Sequence, residues 1–512
     1  MNFGPFSARS REEMLTTCAA QPLDLVVIGG GITGAGILRD ATLRGFRCAL
    51  FEKDDFASGT SSRSSKLIHG GIRYLETGQI PLVFEGLRER RLLLNLAPQF
   101  VKPLSFVFPV YRGQARSLPT VAAGVYLYHF LSLFRDIDRP RVMLTKRTLT
   151  LEPMLRSEGL TGSVVYYDGV TDDSALTLAT VRSAWEHGGI AVNHAEVISL
   201  LEEKNRAAGV RVRDRLRGGE YEIRARWIIN ATGPWSDRFR RGAALDRPIL
   251  RPTKGVHLVL DRTRLRISNA IVMLHPIDGR VTFVIPWRGM LLVGTTDTDY
   301  PGNPDQPEVL PADVRYLLEA VNHYFPLARL QPAHVVSTFA GVRPLLAGRK
   351  PPEKVKPSAL SRDHRIFEER PGFWSVAGGK LTSFRRMAEE TLDRVMRADP
   401  EWRSRFREHP TRYMPYSRDV KPPGKDGEII AGTGIRWSDI VRAIDDGMAA
   451  TVEDVLERRT PLSLLDRRHG ADLVHRVAQL LTERLGPLPG SPSQLGNYHE
   501  TIRRAEEGLE RS

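Results

Sequence analysis

The chain has 512 residues, of which 41% are hydrophobic and 26% charged, a balance that excludes a fibrous or a largely disordered protein. Its length predicts roughly three domains. Lysine and arginine outnumber aspartate and glutamate by 74 to 60, and the formal charge of +14 favours anionic partners, namely phosphorylated substrates, acidic lipid surfaces or nucleic acid.

The cysteines and the N-terminal residues indicate the compartment. Cys18 and Cys48 are too few for a disulfide framework, and Cys48 lies in an apolar run that predicts a buried free thiol. Residues 1–21 mix Arg, Glu and Ser without an apolar core, so we expect no secretory signal. A reducing compartment is therefore predicted, and no short-spaced cluster of Cys and His predicts a metal site.

The first predicted elements form a βαβ unit. Asp24–Ile28 is an apolar run rich in β-branched residues, which indicates a buried parallel strand. A helix follows, and Arg47–Glu52 is predicted as the second strand. The helix residues expected to pack on the sheet are Ile37, Leu38, Ala41 and Leu43.

The turn between this strand and helix carries the GxGxxG pattern at Gly29, Gly31 and Gly34. The first glycine permits a tight turn, the second lets the backbone approach a pyrophosphate, and the third allows close helix–strand packing. Glu52 follows about twenty residues on, where a carboxylate accepts hydrogen bonds from ribose hydroxyls. This context favours a dinucleotide site over a chance glycine turn, but it does not distinguish NAD from FAD.

Further along, Thr60–Lys66 is rich in hydroxyl groups and fits either a cofactor contact or a plain polar loop. Phe84–Leu96 is predicted as an amphipathic helix that sets Arg88, Arg90 and Arg91 against a leucine face. The uncharged stretch between Arg116 and Arg135 contains a proline and a glycine, so we predict a buried or interfacial helix rather than a membrane-spanning one.

The second half of the chain is predicted to add strands and then helices. Glu222–Asn230 is a strand candidate, and Ile271–Leu274 and Val281–Pro286 resemble antiparallel strands of a separate sheet. Gly378-Gly379 is expected to open a helix over Leu381–Met396. Residues 421–434 have the composition of a linker, and apolar residues at helical spacing from Ser438 onward predict a small helical domain.

Five motifs together resemble those of the FAD-dependent aerobic glycerol-3-phosphate dehydrogenase family, within the flavoprotein superfamily of D-amino-acid oxidase. Ser64-Ser-Lys-Leu-Ile-His-Gly-Gly-Ile-Arg-Tyr-Leu-Glu76 is the longest of them. The others follow in the family's order: Asn230-Ala-Thr-Gly-Pro-Trp235, Gly294-Thr-Thr-Asp297, Gly341-Val-Arg-Pro344 and Gly378-Gly-Lys-Leu-Thr382. The resemblance covers the chain from Asp24 to about Met396, while the segment before Thr451–Thr460 looks shortened.

The resemblance implies an α/β fold with three parts. A Rossmann-like FAD-binding domain is expected over residues 20–80, 160–255 and 335–400, and a mixed-sheet substrate (cap) domain over 81–159 and 256–334. Residues 401–512 would form a linker and the small C-terminal helical domain. The implied reaction is oxidation of sn-glycerol 3-phosphate to dihydroxyacetone phosphate, with non-covalent FAD as hydride acceptor and a membrane quinone as the next acceptor.

The resemblance also implies the site residues. For substrate and catalysis we expect His69, Arg73, Tyr74, Arg343 and Lys380, with the two arginines binding the phosphate, Lys380 near flavin N1, and His69 either a general base or a flavin-packing residue. The residues expected to contact FAD are Gly29, Gly31, Gly34, Glu52, Lys53, Thr60, Ser61, Ser65, Lys66, Leu67, His69, Val197, Ala231, Gly233, Trp235, Gly341, Gly379, Lys380, Leu381 and Thr382.

A quinone acceptor implies a cytoplasmic protein bound peripherally to the inner face of the cell membrane. The basic helix and the aromatic residues Tyr126, Tyr128 and Phe130 would supply the surface, unless both segments pack in the core. One alternative is a flavin oxidase of another hydroxy acid or amine that uses oxygen. A flavoprotein that binds nucleic acid is not expected, because the basic residues are dispersed. A homodimer is left open.

Overall fold

The computed structural model describes residues 3–76, 78–133, 137–245, 247–347, 362–399, 402, 409–417, 427–430, 432–487 and 498–503. Eighteen strands, β1 to β18, lie in these ranges and form two sheets. In chain order the helices of the first 400 residues are α1 Arg11–Ala20, α2 Ile32–Leu43, α3 Ile80–Leu96, α4 Leu118–Leu131, α5 Thr145–Leu151, α6 Asp173–Glu186, α7 Ser236–Gly242, α8 Pro311–Tyr324 and α9 Phe384–Arg397.

The first sheet has a parallel centre. Its strands are β1 Leu23–Ile28, β2 Cys48–Phe51, β7 Ile190–Val192, β8 Ala195–Glu203, β9 Arg206–Asp214, β10 Glu220–Asn230, β17 His364–Arg370 and β18 Phe373–Gly378, with the order β17-β18-β10-β1-β2-β7. β1 pairs in parallel with β2 and with β10, which confirms the predicted βαβ unit. The strand is buried almost throughout, as a parallel strand covered on both faces must be.

Helices cover this sheet because their apolar faces match it. α2 buries Ile37, Leu38 and Ala41 as predicted, and it packs against α6 and α9. The helix expected at Leu381 begins as a 3₁₀ turn, and its α-helical part starts only at Phe384. Gly378 and Gly379, at φ +79° and +92°, turn the chain just before it.

The second sheet has ten strands and is mixed, as the resemblance implied. It consists of β3 Leu67–Ile68, β4 Val101–Tyr111, β5 Arg141–Leu144, β6 Leu160–Thr171, β11 Thr253–Leu260, β12 Ala270–Leu274, β13 Val281–Trp287, β14 Met290–Gly294, β15 Thr298–Asp299 and β16 Val335–Arg343. β12 and β13 pair antiparallel, as expected from their alternating pattern. β6 and β16 also belong to this second sheet, although the domain boundaries predicted from the sequence assigned their residues to the FAD-binding domain.

A helical unit follows, with its own core. It contains α10 Trp437–Asp445, a π-helical turn Asp454–Arg459, α11 Leu462–Leu465 and α12 Val474–Leu485. Ile440, Ile444 and Val455 are fully buried, as their spacing predicted, but α10 ends at Asp445 and they do not share one helix. Most of the predicted linker 421–434 lies outside the described residues.

Two residues of the segments predicted to face a membrane are buried instead. α3 exposes Arg88 and Arg91, but Arg90 is only 1% exposed and its guanidinium donates to Asp168 at 2.6 Å. In α4, Tyr128 is buried and its hydroxyl donates to the same carboxylate at 3.0 Å. Arg90 and Tyr128 therefore belong to the interior, where the buried carboxylate of Asp168 needs hydrogen-bond donors. No helix among the described residues combines the length and apolar composition needed to cross a bilayer.

Candidate active site

A cavity of about 930 Å³ opens at the carboxyl ends of β1, β2 and β10. In open parallel sheets ligands bind at this edge, in the crevice that forms where the order of the strands reverses. The predicted FAD-contacting residues that line the cavity are Gly29, Gly31, Glu52, Lys53, Thr60, Ser61, Val197, Ala231, Gly233, Trp235, Gly379, Lys380 and Leu381. The cavity thus joins segments that are far apart in the chain.

The glycine loop has no room for side chains. A Cβ at Gly34 would lie 1.9 Å from the carbonyl oxygen of Gly29, and one at Gly29 would lie 2.8 Å from the carbonyl oxygen of Ala231. Gly29 also has φ +106°, which disfavours other residues. The loop therefore leads into α2 with its backbone exposed to the cavity, the arrangement that binds a pyrophosphate at a helix N-terminus.

Glu52 fixes this loop as well as facing the cavity. One carboxylate oxygen accepts from the backbone N–H of Gly30 at 2.6 Å and the other from that of Asp54 at 2.9 Å. Burial, with a smaller contribution from Asp54, raises the pKa of Glu52 to about 7. Each oxygen has a second lone pair, so the carboxylate can still accept from ribose hydroxyls as predicted.

Lys53 and Trp235 form one wall of the cavity. The Lys53 ammonium lies 4.8 Å from the centre of the indole ring and 2.8 Å from Asp305, which also accepts from the indole N–H at 2.8 Å. The positive charge of Lys53 is thereby balanced by the carboxylate of Asp305. It is placed to shape the wall rather than to supply a free charge.

Lys66 and Gly34 are the predicted FAD contacts that line neither cavity of the site. The Lys66 ammonium donates to Asp173 and to the carbonyl of Ser62, and the side chain is 2% exposed. It is held between the loop and the start of α6. Ser65, Leu67, His69, Gly341 and Thr382 line a second cavity instead.

This second cavity, of about 520 Å³, adjoins the first and shares Thr60, Ser61, Gly379, Lys380 and Leu381 with it. It contains all five residues predicted for substrate and catalysis: His69, Arg73, Tyr74, Arg343 and Lys380. They come from the first motif, from the end of β16 and from the turn after β18. The structure therefore brings together residues that the sequence could only assign to separate motifs.

Arginines make the second cavity strongly cationic. Arg343 donates to the hydroxyl of Thr295 at 2.7 Å and to Asp297 at 3.2 Å. A Cβ at Gly255 would lie 2.1 Å from the Arg343 guanidinium, so β11 leaves space for it. Burial and the charge of Arg362 lower the pKa of Arg343 to about 10, which keeps it protonated at neutral pH. The carboxylate of Asp297 balances only part of the positive charge of the cavity.

Arg73 is the arginine best placed to take an added anion. Within the described residues its guanidinium has no hydrogen-bond or ion-pair partner, and it lines the second cavity. Burial, followed by the charge of Arg362, lowers its pKa. A partly buried guanidinium without an acceptor is costly, and an oxyanion would satisfy its donors.

Lys380 lies where the two cavities meet. Its ammonium is buried without a hydrogen-bond partner and sits 3.8 Å from the centre of the Tyr74 ring. Burial, followed by the charge of Arg362, lowers its pKa to about 7. An unpartnered buried cation calls for a negatively charged group beside it.

The His69 imidazole is held neutral. Burial, followed by Lys380, lowers its pKa to about 3. Its backbone is fixed by Thr382, whose hydroxyl accepts from His69 N–H at 3.0 Å and donates to its carbonyl at 3.1 Å. A neutral imidazole retains a lone pair and can accept a hydrogen bond.

The sequence analysis missed Arg362, Asp297 and Thr295 as individual site residues. Arg362 approaches Asp297 at 3.5 Å and lines the second cavity, but it lies outside every motif. Asp297 and Thr295 stand inside the quoted Gly294–Asp297 motif, so the motif marked their position without indicating their partner. Only the folded chain shows that both face Arg343.

Comparisons with known proteins agree with this geometry. The profile of the family described as FAD dependent oxidoreductase matches residues 24–394. The chain is 35% identical to the aerobic glycerol-3-phosphate dehydrogenase of Staphylococcus haemolyticus, over 94% of this chain and 84% of that one. It is 36% identical to that of Bacillus subtilis, over 90% and 86%. The X-ray structure of glycerol-3-phosphate dehydrogenase from Bacillus halodurans complexed with FAD superposes with a TM-score of 0.79 at 29% identity, covering 98% and 99% of the two chains.

Proposed function

The chain belongs to the FAD-dependent oxidoreductase family and, within it, to the aerobic glycerol-3-phosphate dehydrogenases, and from this premise we propose that it oxidises sn-glycerol 3-phosphate to dihydroxyacetone phosphate and passes the electrons to a membrane quinone. The observation that supports this substrate is the placement of Arg73, Arg343 and Arg362 in a cavity adjoining the one beside the glycine loop. A phosphate dianion needs such fixed cations.

The first cavity fits FAD. A Cβ at Gly29 or Gly34 would clash with backbone oxygens, so glycine there lets the loop approach a pyrophosphate closely, and the unpartnered Lys380 ammonium lies where the two cavities meet and would face the negative charge that a flavin gains on reduction. Bound there, FAD would supply the acceptor for the hydride from C2 of the substrate. Lys380 would stabilise the added negative charge electrostatically.

The remaining steps fall to side chains of the second cavity. Arg73, Arg343 and Arg362 would hold the phosphate and thereby fix the distance of C2 from the cofactor. His69, the neutral imidazole, would accept a hydrogen bond from the substrate hydroxyl and orient it, and the hydroxyl proton would leave to water, because the lowered pKa of His69 makes it a poor base. Thr382 would orient His69 through its two backbone hydrogen bonds.

We expect anaerobic addition of glycerol 3-phosphate to bleach the visible flavin absorbance of the purified protein, because hydride transfer reduces the cofactor. Glycerol, glycine and D-alanine at equal concentration serve as controls and should leave the spectrum unchanged. Bleaching by an amino acid but not by glycerol 3-phosphate would overturn the proposal. Rapid peroxide formation in air, matching substrate turnover without a quinone, would support the oxidase alternative instead.

The quinone part of the proposal is supported by the apolar wall of the second cavity. Phe108, Val121, Leu127, Val272 and Phe283 all line it. Two of these residues belong to α4. The same helix exposes further large apolar side chains, Tyr126, Phe130 and, just after its end, Leu133. A quinone that leaves the bilayer would meet an apolar surface continuous with the cavity.

We therefore propose that α4, with Arg88 and Arg91 of α3, binds the inner face of the cell membrane peripherally. Replacing Tyr126, Phe130 and Leu133 together by serine should abolish co-sedimentation with anionic vesicles and lower quinone reduction. Bleaching by glycerol 3-phosphate should be kept.

The matched control is Leu327→Ser, which removes an apolar side chain that is 77% exposed in the turn after α8. It should bind vesicles like the wild type. Arg88→Gln with Arg91→Gln should only weaken binding and reduce its salt dependence, since each basic residue contributes about 1 kcal/mol at an anionic surface. Undiminished vesicle binding by the triple serine variant would refute the assignment of this surface.

A further inference from the structure

The C-terminal helical unit contributes to the wall of the FAD cavity. Four of its residues line that cavity: Thr451, Glu453, Asp454 and Arg458. They lie in the segment 451–460, which holds the π-helical turn. π-Helical turns are rare and recur at functional sites. Neither the resemblance nor the proposed reaction assigns this segment a role.

One contact ties the unit to the loop that follows β2. The carboxylate of Asp55 accepts two hydrogen bonds from the Arg459 guanidinium, at 2.6 and 2.8 Å, in the forked geometry that arginine favours. Arg458 donates to the same carboxylate at 2.7 Å and Asn193 at 2.9 Å. Asp55 is fully buried, so it depends on these donors to remain ionised.

A second contact joins the unit to the end of β7. The imidazole of His194 donates to Asp454 at 2.9 Å. The same carboxylate oxygen accepts from the backbone N–H groups of Ala450 and Thr451, at 2.9 and 3.0 Å. The backbone N–H of His194 in turn donates to the carbonyl of Asp54. The π turn therefore supports the loop from two sides.

Arg458 does not have the free donors of a phosphate ligand. Its Nε donates to Asp55, and its two terminal nitrogens donate to Glu453, Asp454 and Glu457 at 2.9 to 3.1 Å. The side chain is 3% exposed. Its action on the cofactor is thus indirect, through the loop it holds.

We propose that the docked C-terminal unit is a structural part of the FAD site, in which Arg458 and Arg459 position the loop that carries Glu52. Glu52 and Asp55 are three residues apart, and Glu52 orders both the glycine loop and the N–H of Asp54. If the π turn undocks, the loop loses its support and the cavity loses one wall. FAD binding and docking of the unit must then favour each other to the same extent. This inference rests on FAD in the first cavity and not on the identity of the substrate.

The test uses Arg459→Met in the full chain, with Arg459→Lys as the conservative variant and Arg468→Met as the control. Arg468 makes an ion pair with Asp472 in the same unit, but both side chains are more than 60% exposed. We expect Arg459→Met to raise the FAD dissociation constant, followed by flavin fluorescence, roughly 5- to 100-fold. Arg459→Lys should recover part of the loss, and Arg468→Met should match the wild type.

Thermal melting of apo and FAD-loaded protein separates positioning from mere stability. If Arg459 links the unit to FAD, the gain in melting temperature on adding FAD shrinks in Arg459→Met. An equal drop in both forms, with an unchanged FAD dissociation constant, would overturn the proposal.

Hydrogen exchange can be measured on the wild-type protein, so this test does not depend on whether a variant folds. FAD should slow exchange at Ala450 and Thr451, whose N–H groups bond Asp454, much more than in α8 of the other sheet. Equal effects of FAD on the two segments would also count against the proposal. Because these measurements follow FAD alone, a different substrate would leave their outcome unaffected.

Discussion

Replacement of Arg73 by methionine is expected to lower kcat/KM for glycerol 3-phosphate by about 10²- to 10⁴-fold, the value of two lost charge-assisted hydrogen bonds of about 1.5–3 kcal/mol each. The loss should appear in kcat as well as in KM, because binding of the phosphate positions C2 for hydride transfer. Steady-state reduction of an artificial quinone measures both parameters.

The controls separate phosphate binding from general damage. Turnover of plain glycerol, however slow, should change little in Arg73→Met, because glycerol has no phosphate to lose. Arg266→Met removes an exposed arginine outside both cavities and should match the wild type. An equal loss of activity on glycerol and on glycerol 3-phosphate would show that Arg73 acts on the chemistry or on the cofactor instead.

Of the two predicted phosphate-binding arginines, Arg343 is the less informative one to replace. Its removal would leave the carboxylate of Asp297, 4% exposed, with the longer contact to Arg362 at 3.5 Å as its remaining ion pair among the described residues. Because a buried carboxylate that loses its better partner is destabilising, a variant at Arg343 would lose stability along with phosphate binding. Arg73 has no such partner among the described residues, so its substitution reports more directly on the substrate.

The sequence predicted well those parts of the fold in which steric contacts between residues close in the chain require particular residue types. The three glycines, the strand before them and Glu52 occur within about thirty residues, and each contact among them depends on local spacing. The structure confirms the βαβ unit on this basis. The resemblance then supplied the distant motifs, whose meeting in one cavity could not be derived from spacing.

The failures come from partners that the sequence does not reveal. A helical pattern set Arg90 on the polar face of α3, but Asp168, 78 residues later, draws it into the interior. Tyr128 fits a membrane-interface aromatic by composition, yet its hydroxyl bonds the same carboxylate. In both cases a hydrogen bond to a buried carboxylate decides where the side chain lies, because leaving that carboxylate unsatisfied would cost free energy.

Substitution of Gly34 by alanine is expected to yield protein that purifies without FAD. A Cβ there would lie 1.9 Å from the carbonyl oxygen of Gly29 and 3.4 Å from a methyl of Val27, and a backbone oxygen cannot rotate away. α2 would have to withdraw from β1, which misplaces the N–H groups of the loop that approach the pyrophosphate. Overpacking of this kind also costs about 1–3 kcal/mol of stability.

Gly124→Ala provides the matched control, since a Cβ at this position in the middle of α4 would have no atom within 4 Å. Alanine there should leave the FAD content unchanged and stabilise the helix by about 0.5–1 kcal/mol.

The decisive comparison for Gly34→Ala is between its flavin content and the melting temperature of its apo protein. If Gly34→Ala lost FAD only because the whole chain unfolded, apo protein would melt far below the wild type. If instead it retained FAD at wild-type affinity, the close approach of α2 to β1 would not be what forms the cofactor site. We expect a folded apo protein with a modest loss of stability and almost no flavin, because the added methyl group acts at the one point where helix, strand and dinucleotide meet.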